Sequence, residues 1–199
     1  VRNILKLKDK DPTQWKNIYG VIGELITVPK ELEVAIDVAL GGSIQHIVTK
    51  DEETAKKAIT YIKNNNLGRA TFLPISSVRS SQKNTETNQI VKENGVVGFG
   101  NDLIQYDNIY SNIISNLLGR VIVVDHMDHA IQLARKYNYR YRIVTLEGEL
   151  LNPGGSITGG SFYKNRESIF TRNREVVELS QRIETSKIKL QNIEKQNVE

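Results

Sequence analysis

Cysteine is missing from all 199 residues, so neither a disulfide nor a thiolate metal site supports this fold, and nothing in the composition points to an oxidising compartment. Apolar runs are short as well. None approaches the roughly 18 residues that a membrane span requires, and the opening VRNILKLKDK lacks the long apolar stretch of a secretory signal. These absences predict an intracellular, cytoplasmic protein without membrane contact. The chain opens on Val rather than Met, which reads as a piece cut from a longer polypeptide. What is present, 39% hydrophobic and 25% charged residues, fits a soluble globular protein of one ordinary domain or two small ones.

The net charge of +4 is unevenly spread. Residues 1–10 carry Arg2, Lys6, Lys8 and Lys10 against Asp9, or +3, and residues 161–174 carry Lys164, Arg166, Arg172 and Arg174 against Glu167, again +3. Residues 11–160 hold 15 basic and 16 acidic side chains, and residues 175–199 hold 4 and 5, so each of these stretches sums to −1. Positive charge therefore collects where the chain enters and leaves its globular part.

The tail EVVELSQRIETSKIKLQNIEKQNVE has no Gly or Pro and spaces its apolar residues by threes and fours. With Val176 at a, the seam runs through Leu179, Ile183, Ser186, Leu190, Ile193 and Asn197, the pattern of the start of a coiled coil or of a single amphipathic helix. The opening VRNILKLKDKDP reads as a short helix stopped by Pro12. A helix at each end of a globular part suits a stalk that goes out and returns.

Between these ends the chain repeats itself. AIDVALGGSIQHIVTKDEETAKKAITYIKNNNLGRATFLP predicts a helix ending at Leu40-Gly41, a strand at 44–48, a helix at 52–65 and a strand at 69–73. NIISNLLGRVIVVDHMDHAIQLARKYNYRYRIVTLEGE predicts the same plan: a helix ending at Leu118-Gly119, a strand at 121–124, a helix at 128–137 and a strand at 142–146. Short β-branched strands separated by helices imply parallel pairs, with Gly41 and Gly119 as left-handed helix ends. A strand is expected at 21–28, followed by a helix with Pro29 at its first turn. Residues 74–94 read as a surface connection and GVVGFG as a bend.

NPGGSITGGS, residues 152–161, has four glycines in ten residues. Gly155 and Gly160 have the spacing of a P-loop, but Ser161-Phe162 follows where Lys and Ser or Thr would be needed, and the dinucleotide pattern G-x-G-x-x-G is missing. Glycine for close backbone approach remains. DHMDH offers His126 and His129 beside Asp125 and Asp128, at the start of a predicted helix where Asp ordinarily caps. The remaining histidine is His46 and zinc takes three or four ligands, so the cluster reads as a helix start, not a metal site. No catalytic set is visible. The alternative of a small α/β enzyme, nucleotide- or metal-dependent, would have to use GGSITGG or DHMDH.

AIDVALG, GRATFLP, LLGRVIVVD, RIVTLEGE and PGGSITGGS, in this order and between coiled-coil ends, resemble the hinge domain of bacterial structural maintenance of chromosomes (SMC) proteins, over about residues 20–160. Asp37 stands where that family more often has Glu. The resemblance implies an α/β hinge with two pseudo-repeated subdomains, at 12–100 and 101–165, between a coiled-coil end at 1–11 and a coiled-coil start at 166–199. It implies homodimerisation for chromosome condensation and segregation, with Gly154, Gly155, Ser156, Ile157, Thr158, Gly159 and Gly160 at the contact. No cofactor is expected in this stretch, because ATP and Mg²⁺ would belong to ATPase heads elsewhere in the longer protein, as would kleisin and accessory subunits. The protein is expected in the cytoplasm, on the nucleoid. The basic ends add an expectation of weak, non-specific DNA binding through Lys6, Lys8, Lys10, Lys164, Arg166, Arg172 and Arg174. A scaffold that dimerises without touching DNA is the remaining reading.

Overall fold

A computed structural model describes residues 11–81, 86–160 and 169–196. In chain order its strands are β1 (Ile18–Val21), β2 (Ile26–Thr27), β3 (Ile47–Thr49), β4 (Phe72–Pro74), β5 (Val96–Phe99), β6 (Gln105–Tyr106), β7 (Val121–Val124), β8 (Arg142–Thr145), β9 (Leu150–Leu151) and β10 (Ile157–Thr158). Its helices are α1 (Ile22–Leu25), α2 (Glu33–Leu40), α3 (Glu52–Asn64), α4 (Thr87–Ile90), α5 (Ser111–Leu118), α6 (Met127–Lys136) and α7 (Ile169–Gln196). The proposed stalk segment 1–11 falls almost wholly outside the described residues.

The pseudo-repeat holds at the level of pairing. β3 and α3 lead into β4, parallel to β3, and β7 and α6 lead into β8, parallel to β7. The first sheet has the order β1-β3-β4 and the second β10-β9-β8-β7-β5, while β2 and β6 form a small antiparallel link between the two halves. Strand alternation gives each sheet two buried faces. Val121 and Val123 face a central core, whereas Ile122 and Val124 face α6. Val48 likewise joins the central core, whereas Ile47 packs on the side of α3, with Trp15 and Ile62. The central core is shared: Ile22, Ile36 and Leu40 from the first half meet Ile113, Ile114 and Leu118 from the second.

Several expected elements take another form. The apolar stretch 21–28 is broken into β1, α1 and β2, because the chain turns in to pass beneath α7: a Cβ on Gly23 would lie 3.0 Å from Ile44 and 3.2 Å from Ile169. The strand expected at 44–48 begins at Ile47, after a 3₁₀ turn at Gly41–Gln45. Residues 86–99 are no surface connection and bend. Ile90 is fully buried in the core between α6 and the second sheet, and β5 pairs antiparallel with β7, so the expected division after residue 100 leaves β5 on the wrong side. Gly41 has a positive φ of +50°, but Gly119 has φ −68° and is not a left-handed cap. Its need for glycine is steric, since a Cβ there would lie 2.4 Å from the Ser115 carbonyl oxygen.

Candidate dimer interface and coil root

The glycine-rich segment is a hairpin lying at one edge of the second sheet. β9 and β10 pair antiparallel, with Leu151 opposite Ile157, and the intervening turn is closed by the Asn152 N–H on the Ser156 carbonyl (2.9 Å) and the Gly155 N–H on the Asn152 carbonyl (3.0 Å). Gly154 (φ +86°) and Gly155 (φ +95°) take backbone angles that L-residues avoid. Tyr139 fixes the turn from outside: held at φ +50° behind α6, it accepts the Gly154 N–H at 3.0 Å. At Gly159 a Cβ would lie 3.2 Å from Glu149, whose backbone N–H is held by Thr145 Oγ1 at 3.0 Å. Tyr139 and Glu149 escaped the sequence reading, because neither carries a pattern of its own.

The glycines are not filling a tight space within the chain. At Gly154 and Gly160 an added Cβ would meet nothing within 4 Å, and Ile157 on β10 is 55% exposed. The hairpin also runs from strand to strand, so it lacks the helix N-terminus that binds phosphate in nucleotide loops. What it offers, among the described residues, is a strand edge left unpaired, with open space at Gly154 and Gly160. A second open edge exists at β4, whose residues are half-buried, beside the exposed Gly68, Arg69 and Thr71. Exposed Ile59 lines a groove there, with Ile62, Lys63, Asn66, Gly68, Arg69 and Ala70. The outer strands at the other ends of the two sheets differ: β1 is largely buried and β5 is buried at Gly98 and Phe99.

α7 is rooted in the central core. Phe170 is buried beside Ile26, Val28 and Leu32, as expected of an aromatic side chain anchoring the coil. Glu33, 5% exposed at the start of α2, accepts from Thr171 Oγ1 (2.6 Å) and Arg174 Nε (2.8 Å). Burial alone would raise the Glu33 pKa; the bonds from Arg174 and Thr171 outweigh it, so the carboxyl titrates below its ordinary range. Arg174 also donates from Nη1 to Glu178 at 3.1 Å, and both carboxylates hold its charge more firmly. Of the expected DNA contacts, Arg172 is exposed, Arg174 is engaged by Glu33, and Lys6, Lys8, Lys10, Lys164 and Arg166 lie outside the described residues. Beyond the root, Val176, Leu179, Ile183 and Leu190 of the coil seam are each more than half exposed. Among the described residues no helix is long and apolar enough to cross a membrane.

DHMDH lies at the junction of β7 and α6. The helix caps on His126, not Asp128, and without a side-chain bond. Asp125 instead accepts the His126 N–H (2.7 Å) and lies 2.6 Å from His129 Nδ1, while His129 Nε2 is 3.0 Å from Asn94 Nδ2.

Residues 15–134 match the family model of the SMC proteins flexible hinge domain. Over 184 residues the chain is 41% identical to the chromosome partition protein Smc of Bacillus subtilis, a match covering 92% of this chain and 15% of that protein. It is 40% identical over 181 residues to the same protein of Desulfitobacterium hafniense, covering 91% and 15%. The chain thus spans about a seventh of the length of these relatives. Among solved structures, an asymmetric dimer of the Geobacillus stearothermophilus SMC hinge domain superposes with a TM-score of 0.79 at 36% identity, covering 96% of this chain and 82% of that one. The Pyrococcus furiosus SMC hinge domain gives 0.67 at 34% identity, covering 83% of each. With the family model spanning more than half of its length, and with the two-part α/β architecture those hinge structures share, this chain belongs to the SMC flexible hinge domain family.

Proposed function

We propose that this chain joins two copies of a longer chromosome-partition protein, by pairing the open edge of β10 in one copy with the open edge of β4 in the other. The observation that carries this is the glycine hairpin, whose backbone takes strained angles at Gly154, Gly155 and Gly160 while, among the described residues, nothing lies within 4 Å of a Cβ at Gly154 or Gly160. Unpaired edges are ready templates for another chain, and proteins that leave them open usually have an occupant. A two-fold axis makes the contact twice, β10 on the partner's β4 and the reverse, which closes the assembly at two copies. The solved asymmetric dimer of the Geobacillus stearothermophilus SMC hinge domain supports the joining of two copies. Light scattering tests it: a mass of twice the 22.5 kDa of one chain is expected, and a monomer at micromolar concentration overturns it.

The exposed seam of α7 supports a second helix beside it, which residues 1–11 would begin. ATP hydrolysis, Mg²⁺, kleisin and accessory subunits belong to other parts of the longer protein, which acts in the cytoplasm on the nucleoid. No cofactor is required for joining the two copies.

DNA contact at the coil root is the second function, favoured by the +3 charge of residues 1–10 and of residues 161–174. Such contacts neutralise phosphates and read no bases, so affinity should fall with salt at a log-log slope of about −0.9 per contact on duplex. Lys164, Arg166 and Arg172 together changed to Glu should abolish a gel shift and leave the dimer whole. Arg174 is kept in this variant, because its loss would also leave Glu33 buried without its cation. Undiminished DNA binding by the triple variant would place the contact away from the coil root, and no binding by the parent chain would leave it a scaffold.

A further inference from the structure

The two halves of the pseudo-repeat begin their crossover helices differently. In the first, Asp51 caps α3 by accepting the Thr54 N–H at 2.9 Å and the Thr54 hydroxyl at 2.6 Å. The same two positions in the second, counted from the first helical residue, are His126 and His129. Neither imidazole caps the helix. Their rings stack 4.0 Å apart, and one nitrogen from each, with one carboxylate oxygen of Asp125, lie within 4.8 Å of one another.

The hydrogen bonds set the state of His129. A carboxylate cannot donate, so the 2.6 Å contact makes Nδ1 the protonated nitrogen, and Asn94 Nδ2 donates to the lone pair on Nε2. A metal that takes Asp125 and His129 together replaces the Nδ1 proton, with Nε2 then carrying the proton toward Asn94, whose amide turns to present Oδ1. Backbone packing holds the ring there: Gly95 (φ +75°) presses against it so closely that a Cβ would lie 2.0 Å from Nδ1. His126, by contrast, is 53% exposed and free to turn toward its neighbour, with Nε2 already 3.8 Å from Asp125 Oδ2. The scarcity of histidine in the sequence argues against a metal on ligand count. In space Asp125 supplies the third donor.

We propose that Asp125, His126 and His129 hold a divalent transition-metal ion of the zinc class, with water completing the shell. Tetrahedral bonds of about 2.0–2.1 Å need donor atoms roughly 3.3–3.5 Å apart, so the part-exposed Asp125 carboxylate draws back from its 2.6 Å contact with His129 Nδ1 while His126 Nε2 swings in from 3.8 Å. Two imidazoles and one carboxylate favour zinc or nickel over magnesium, which prefers an all-oxygen shell. The site stands apart from both dimer edges and the coil root, so its failure and that of the proposed dimer are independent.

The test is calorimetric titration of the untagged chain with zinc chloride at pH 7.5, repeated at pH 5.5. One equivalent per chain is expected at pH 7.5, strongly weakened at pH 5.5, because protons compete with the metal for its ligands. His126→Ala should weaken binding at least tenfold, and because its side chain lies mostly in solvent the variant will fold. Asp125→Asn should also weaken it, while magnesium chloride gives no saturable heat. No saturable zinc binding, or binding unchanged in His126→Ala, overturns the proposal.

Discussion

Ile157→Ala tests the proposed dimer edge without touching the core. Ile157 is 55% exposed on β10, with the described chain leaving that edge unpaired. The change removes three carbon groups, each stabilising by about 0.8 kcal/mol when fully buried. Scaled to the half of the side chain still in water, the partner's cover contributes about 1.3 kcal/mol per copy. Two-fold symmetry doubles that to about 2.6 kcal/mol, or roughly a 70-fold weaker dimer at 1.4 kcal/mol per tenfold. The stability of the separated monomer should change by no more than about 0.5 kcal/mol, as for an ordinary surface substitution. Sedimentation equilibrium across a dilution series reads the first quantity and chemical denaturation of the dilute monomer the second. A dimer constant within threefold of the parent's would refute pairing through β10, and a large loss of monomer stability would mean that Ile157 is already packed within its own chain.

Gly95→Ala should lower the melting temperature by about 2–8 °C through its backbone alone, since a left-handed alanine costs about 1–2 kcal/mol, each worth about 2–4 °C in a chain of this size, and by more through the clash with His129. Gly154→Ala, with open space at its Cβ, should lose only the backbone part; equal losses for the two would refute the packing argument. Among the described residues the buried Nδ1 of His46 has no partner, and burial holds its pKa below the ordinary 6.5, so the folded chain resists protonation. Its contribution is whole above pH 6.5 and is lost as pH falls from there to the depressed folded value; denaturation at pH 7.5 and 5.5 should show that loss shrink in His46→Phe. Glu33, titrating below its usual 4.5, contributes stability that is present above pH 4.5 and lost as pH falls through the lower folded value; in Glu33→Gln, proteolysis at the base of α7 should speed up while the rest of the domain resists.

The elements easiest to read from sequence were those whose period needs no distant partner. α3 and α6 announce their faces through Ala55, Ala58 and Ile62 and through Ala130, Ala134 and Tyr137, and β7 is a plain β-branched run. α4 and β5 were missed because distant residues hold them. Glu93 takes Lys136 Nζ (2.6 Å) and the Tyr137 hydroxyl (2.9 Å), a bond that, after burial, helps push the Tyr137 pKa up to about 12, while Glu86 takes the Tyr141 hydroxyl (2.6 Å) and Arg140. A polar stretch whose charges find partners 43 to 55 residues away gives no local sign of order. The glycine run was legible as a turn, but not that among the described residues Gly154 and Gly160 border open space while Gly155 and Gly159 lie against Tyr139 and Glu149. Glu33 gave no sign either, since a carboxylate at a helix start is common on any surface.

The root of α7 sets a direction as well as an anchor. The helix has 28 residues and so reaches about 42 Å from its base at 1.5 Å per residue. Its base is gripped by Phe170 in the core and, one turn along the same face, by Glu33 through Arg174, with Thr171 beside them on the same carboxylate. A tilt of about 10° between those two grips would carry the far end sideways by roughly 7 Å on that length. A longer coil continuing the same helix would multiply the sweep in proportion, so a rotamer change at one buried carboxylate is geared into a displacement larger than the side chain that caused it.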